Sequence, residues 1–202
     1  MVPTIYGLDM FHYAEVIQDD EKGLEFGKPE RIPGAVNVKV DPKSEQTKFW
    51  ADNGVFDSFN SMGDIDLEAE MADMPLDIQN KIYGHQVENG VSFASGDDQT
   101  IYLAFGFRAK KSNGGYRYYW LLKGLPELLG AEGKTKEEKV DPQSTKFKVG
   151  FQLLQNPKGK KRWKAQAEDS DTFNGEGWFD QVVYNGLPFA ADSGGKANDL
   201  GD

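Results

Sequence analysis

Residues 63–71 alternate without a break, Gly63-Asp64-Ile65-Asp66-Leu67-Glu68-Ala69-Glu70-Met71. Paired carboxylates are what glycosidases place across a scissile bond, one as acid and one as base or nucleophile. Same-face neighbours on a strand stand about 6.5–7 Å apart, so spacing alone permits that chemistry. A working acid must also sit in a desolvated cleft with a raised pKa. Four acids in a row, Asp64, Asp66, Glu68 and Glu70, describe a charged surface instead. Like charges along one strand repel, so the chain must solvate them, pair them with a basic surface, or use them as an electrostatic wall.

The remaining chemistry-bearing groups are sparser. Asp52-Asn53, Asp57, Asp64 and Asp66 offer oxygens to calcium but lack the spacing of an EF-hand loop. Asp97-Asp98 and Asp169-Ser170-Asp171 read as polar turns. His12 and His85 have no ligand-spaced partner, and cysteine is absent, which excludes thiolate metal sites and disulfides. There is no phosphate loop, no nucleophile elbow and no pair of histidines. No catalytic residue, metal or cofactor is assigned. The cations gather at Lys158, Lys160, Lys161 and Arg162, followed by Trp163 and Lys164. Such a cluster serves phosphate contact, a lysine-rich turn that keeps a sheet edge soluble, or complementarity with the acidic row of a neighbouring copy.

The elements that must position these groups are mostly strands. Residues 10–17 alternate, 35–40 follow with three valines inward, and Asp41-Pro42 interrupts before 45–50 resume. Ala51-Asp52-Asn53-Gly54 is a turn signal, and residues 55–61 carry Phe56 and Phe59 in a loop. After the acidic strand, Asp73 is placed to cap a helix of about two turns, with Pro75 early and Gly84 as left-handed terminator. Leu76 and Ile82 are its expected anchors. Residues 100–111 and 116–123 form a hairpin closed by Ser112-Asn113-Gly114-Gly115, read as a primed turn. Residues 145–154 and 161–168 supply further strands.

The predicted class is mainly β (α+β): a β-sandwich or barrel of packed antiparallel sheets with one short flanking α-helix. It forms a single domain over 1–189 with a flexible, acidic and glycine-rich tail over 190–202. The formal charge is -10, from 23 basic and 33 acidic residues, which argues against stable wrapping of nucleic acid. There is no apolar run of membrane-spanning length, and the first residues carry neither a basic nor an apolar leader region. The expectation is a soluble product made in the cytoplasm.

Several strings together resemble the major tail (tail tube) proteins of long, non-contractile-tailed bacteriophages of Gram-positive bacteria. They are Gly7-Leu8-Asp9 with Tyr13-Ala14, Ile32-Pro33-Gly34-Ala35-Val36, Phe49-Trp50-Ala51-Asp52-Asn53-Gly54, and Gly63-Asp64-Ile65 leading to Ala72-Asp73-Met74-Pro75. Ile82-Tyr83-Gly84-His85, Ala104-Phe105-Gly106-Phe107-Arg108, Ser112-Asn113-Gly114, Tyr116-Arg117-Tyr118 and Trp163-Lys164-Ala165 continue the series. Their order and spacing, rather than any one string, carry the resemblance. It implies the tube fold shared with type VI secretion, and hexameric rings stacked into a hollow tail that encloses a tape-measure protein and conducts the genome. The implied partners are further copies, the tape measure, tail initiator and terminator proteins, and DNA in passing contact; the implied location is the virion tail.

On that reading the acidic row faces the lumen and repels phosphate. Trp50, Phe56, Phe59 and the Lys158, Lys160, Lys161, Arg162 cluster are the candidate subunit interface. Two other classes compete. A carbohydrate-binding β-sandwich would use Trp50, Tyr118, Trp120 and Trp178 as a stacking platform, and a hydrolase would use the acidic row.

Overall fold

Alternating apolar side chains build the strands, and their inward faces decide how the sheet bends. The structure, a computed structural model, describes residues 3–51, 54–130, 144–171 and 173–186; the expected tail over 190–202 lies outside them. In chain order the elements are β1 (Ile5–Asp19), β2 (Leu24–Phe26), β3 (Glu30–Arg31), β4 (Ala35–Ala51), β5 (Gly54–Met71), α1 (Leu76–Tyr83), β6 (Gln86–Glu88) and β7 (Val91–Phe93). Then follow β8 (Leu103–Lys111), β9 (Tyr116–Pro126), β10 (Thr145–Phe151) and β11 (Lys164–Glu168). The protein is mainly β, with antiparallel sheets and, among the described residues, one α-helix, as expected.

The packed layers come from one sheet bending over itself. Its order is β2-β1-β8-β9-β10-β5-β4, with β11 beside β9 and β3 beside β1, and β6-β7 form a separate small hairpin. Leu8 of β1 and Val38 and Val40 of β4, from opposite ends of that path, pack against one cluster. Phe11, Leu67, Met71, Phe105, Leu121 and Phe147 lie at its centre. Strand β9 is covered on both faces, so Trp120, Leu121 and Leu122 are all buried. On the outer side Tyr118, Trp120 and Leu122 meet Trp178, Val182 and Val183 of the segment beyond β11. Trp120 Nε1 donates to the Trp178 carbonyl at 2.9 Å. Gly106 of β8 is required there, since a Cβ would lie 2.9 Å from the Trp120 ring.

Several elements differ from the sequence reading. Strand β4 runs through Asp41-Pro42, with a register shift between Pro42 and Ser44; proline is tolerated because β4 is an edge strand. Residues 55–61 are not a loop but the first part of β5, paired with β4 from Val55 onward. The turn after β8 is not primed. Gly114 donates to the Lys111 carbonyl and Gly115 accepts from the Lys111 amide, and positive φ falls on Gly114 alone, which marks a three-residue loop with a bulge. Strands β10 and β11 both pair with β9 and not with each other.

The helix begins at Pro75 without a side-chain cap. Asp73 instead accepts from the Met74 amide, so it does not cap α1. Gly84 terminates the helix in the left-handed region at φ 73, as expected. Ile82 is an anchor, buried in the main cluster beside Tyr83. Leu76 is not: it is 53% exposed. At about 100° per residue it points roughly 120° away from Ile82 around the axis, and Met74, just before the helix, fills the core instead. A polar clasp ties α1 to the sheet. Tyr13 donates to Glu30 at 2.7 Å, Lys81 pairs with the same carboxylate, and these bonds hold the Glu30 pKa below its usual range.

At the far end of the sheet Asp19 and Lys123 form a buried ion pair at 2.7 Å, their side chains 2% and 8% exposed. Asp19 also accepts from the backbone amides of Gln155 and Asn156. Burial pushes the carboxyl up, but the bonds from Lys123, Asn156 and Gln155 outweigh it and leave the pKa lowered. A depressed folded pKa means that the stability is present above the unfolded value of about 3.9 and is lost as pH falls through the folded one. Asp19→Asn leaves Lys123 buried without a counter-charge, so it is expected to cost about 3–5 kcal/mol at neutral pH. Urea unfolding of both proteins from pH 7 down to 2 checks this. The gap must narrow below about pH 4.

Candidate functional site

The acidic row lies where alternation put it. Ile65, Leu67, Ala69 and Met71 are buried, while Asp64 and Glu68 are exposed and Asp66 and Glu70 half-buried. What single-strand reading missed is the neighbours. Lys146 and Lys148 of β10 stand opposite Glu70 and Glu68, and on the other side Asn37, Lys39 and Asp41 of β4 stand opposite Glu70, Glu68 and Asp66. Lys148 lies 3.6 Å from Glu68. Lys43 donates to Asp66 at 2.7 Å, and that bond holds the Lys43 pKa above its usual range. Ser144 donates to Glu70. The face is a column of acids, Asp64, Asp66, Glu68 and Glu70, between two lysine-bearing columns, Lys39 and Lys43 with Asp41 on β4 and Lys146 and Lys148 on β10.

The second candidate surface is the distal half of the β4–β5 hairpin. The ladder holds to Ala51 opposite Gly54, yet every residue from 41 to 50 and from 56 to 64 is exposed. This half is an arm that leaves the core. Trp50 is 65% and Phe56 72% exposed, with Phe49, Phe59 and Met62 also open. Phe49 meets Phe56 edge-on at 6.2 Å. The ladder sets Phe49 and Phe59 on one face of the ribbon and Met62, opposite Ser44, on the other, while the irregularity between Phe49 and Trp50 leaves Phe56 against Phe49. The rings therefore do not fold back onto their own core. A two-stranded ribbon is marginal alone in water, and this one is apolar on both sides.

The basic residues are not brought to either surface. Lys158 sits in a one-turn 3₁₀ helix capped by the Asn156 side chain, and Lys160 and Lys161 both take positive φ. Lys158, Lys160 and Lys161 are exposed, with no carboxylate in ion-pair range among the described residues. Arg162 is engaged within its own chain, donating to the Tyr184 carbonyl at 2.6 Å and to Asn185 at 3.2 Å.

The aromatic platform of the carbohydrate reading is not assembled. Tyr118, Trp120 and Trp178 are buried in the outer cluster, and only Trp50 is open. The Tyr118 hydroxyl is pushed up to about 12, first by burial and then by Asp169. His12 is buried and stacked on Phe179 at 4.5 Å; burial lowers its pKa, against the hydrogen bond to the Met10 carbonyl. Among the described residues no three of His, Asp and Glu group as metal ligands, and no helix is long and apolar enough to cross a membrane. No protein-family model matches the chain, and a search of curated proteins finds no match.

The flanking lysines make the acidic column testable as a structural element. Glu68→Lys would place three lysines side by side, at 39, 68 and 148. The expected loss is about 1 kcal/mol at low ionic strength, shrinking in 1 M salt as the charges are screened. Urea midpoints at the two salt concentrations check it, with Glu68→Gln expected to show a smaller loss.

Proposed function

We infer that this chain is a tube-forming structural protein of the phage tail-tube kind and not an enzyme. Copies close into hexameric rings, the rings stack, and the bore houses a tape-measure protein and then passes the genome. It is made in the bacterial host cytoplasm and ends in the virion tail. Its other partners are tail initiator and terminator proteins. The observation that carries this reading is the arm. Two-sided apolar surface that none of the described residues covers is what an assembling subunit presents to its neighbours. The mainly β fold with one short helix agrees with the resemblance in the strings around residues 7–180.

The laddered acidic face is the surface we assign to the bore. Affinity for duplex DNA comes from cations that neutralise phosphates and release counterions. Lysines already facing carboxylates on the same sheet have little to offer, so DNA slides past. Glu68→Gln with Glu70→Gln would leave Lys146 and Lys148 without facing carboxylates, Lys39 keeping its pair with Asp41, and is expected to slow genome ejection in a way that added salt relieves.

The deciding experiment is negative-stain electron microscopy with light scattering on concentrated protein, alone and with tail initiator and tape measure. Rings or hollow tubes are expected in the complete mixture. Phe56→Ser with Phe59→Ser should abolish them while leaving the melting temperature within a few degrees, since both rings are exposed. Protein that stays monomeric with every tail component present would overturn the reading.

A further inference from the structure

A groove of about 680 Å³ opens at the root of the arm. Val36 and Val38 of β4 and Ile5 of β1 line its sides. Phe107 and Tyr119, stacked with centroids 4.8 Å apart, are also part of the lining. Among the described residues, Arg117 and Lys164 are the only ionised side chains that line it. Arg117 shares the Glu168 carboxylate with Lys111, so that cluster keeps one positive charge in excess. Lys164 lies over the Trp163 ring at 4.9 Å, with no carboxylate in ion-pair range among the described residues. The groove is thus apolar and net positive.

The arm is its complement. Among the described residues of 44–62, Glu45 and Asp57 stand against Lys48 alone, alongside Phe49, Trp50, Phe56 and Phe59. Yet the arm does not reach its own groove. Pro42 is part of the groove lining, and Trp50 stands eight residues further along a paired strand. At about 3.3 Å per residue that is roughly 26 Å away, and folding back would break the ladder.

We propose that the groove is the seat for the arm of a second copy of this chain. The proposal rests on the self-assembly reading above and names the receiving surface. The tip rings enter between β1 and β4, and the arm's carboxylates meet Lys164 and Arg117 at the rim. Two unlike patches make the contact heterologous, so each copy gives an arm and receives one. Such contacts close into rings or run on as filaments.

Two double variants test this by complementation. Phe56→Ser with Phe59→Ser keeps the groove and spoils the arm. Val36→Glu with Lys164→Glu keeps the arm and repels it from the groove. All four side chains are exposed or half-buried, and thermal melts confirm folding. Each variant alone should self-associate about tenfold or more weakly than the wild type. Their equimolar mixture should form a 1:1 dimer and stop there, read by sedimentation velocity. A monomeric mixture beside an assembling wild type overturns the seat and leaves the tube reading standing. A dimer from the mixture, with no tubes from the wild type and all tail components, supports the seat and overturns the tube. Dimers of the groove-blocked variant alone, a mixture and wild type both monomeric at millimolar concentration, or a small apolar molecule held 1:1 in native mass spectrometry each overturn the seat.

Discussion

Strand β5 keeps its place between β4 and β10 through unlike contacts on its two faces. Inward, Ile65, Leu67, Ala69 and Met71 enter the main cluster, and each large apolar side chain removed from water contributes about 1.5–3 kcal/mol. Outward, Glu68 and Glu70 stand beside Lys148 and Lys146, pairs worth only some tenths of a kcal/mol each. The inward face therefore holds the strand, and the outward face mainly makes the arrangement tolerable. Without lysines on both neighbours, the acid column would press on itself along its whole length. The curvature follows from the same strand, because β4 and β10 must bend with it for Val38, Val40 and Phe147 to reach one core.

The outer cluster solves a different problem. Strands β8 and β9 are the middle of the sheet, and burying only one of their faces would leave Trp120 and Leu122 in water. Residues 173–184 cover them without regular strand or helix, through rings and two turn-forming glycines. Indole groups hold this cover by crossed hydrogen bonds: Trp120 donates to the Trp178 carbonyl and Trp178 to the Tyr119 carbonyl. The stack of His12 on Phe179 ties the same segment to β1. The Asp19–Lys123 pair fixes the end of β1 to β9 and to the loop after β10.

What the sequence made legible was local. The alternation of residues 63–71, the two strands around Ser112-Asn113-Gly114-Gly115 and the left-handed Gly84 all follow from periodicity or backbone geometry within a few residues. The reading stopped where partners came from elsewhere in the chain. Lys146 and Lys148 lie far from Glu70 and Glu68 in sequence, so the acid column looked unpaired. Phe56 and Phe59 looked like loop residues because glycine and serine surround them, and only the ladder with β4 shows an extended arm. Leu76 fits a helical period as well as Ile82 does, but the period does not say that Met74 fills the space first. The cover over β9 has no periodic signature, and only its rings hinted at burial.

The arm's ladder has a consequence for spacing. A paired ribbon does not lengthen continuously: insertion of one residue per strand turns every side chain to the other face. Only steps of two residues per strand, about 6.5 Å, preserve which rings point where. In an assembly that the arm bridges, the centre-to-centre distance between copies is then a digital quantity, counted in residue pairs, and the β4–β5 hairpin is its ruler.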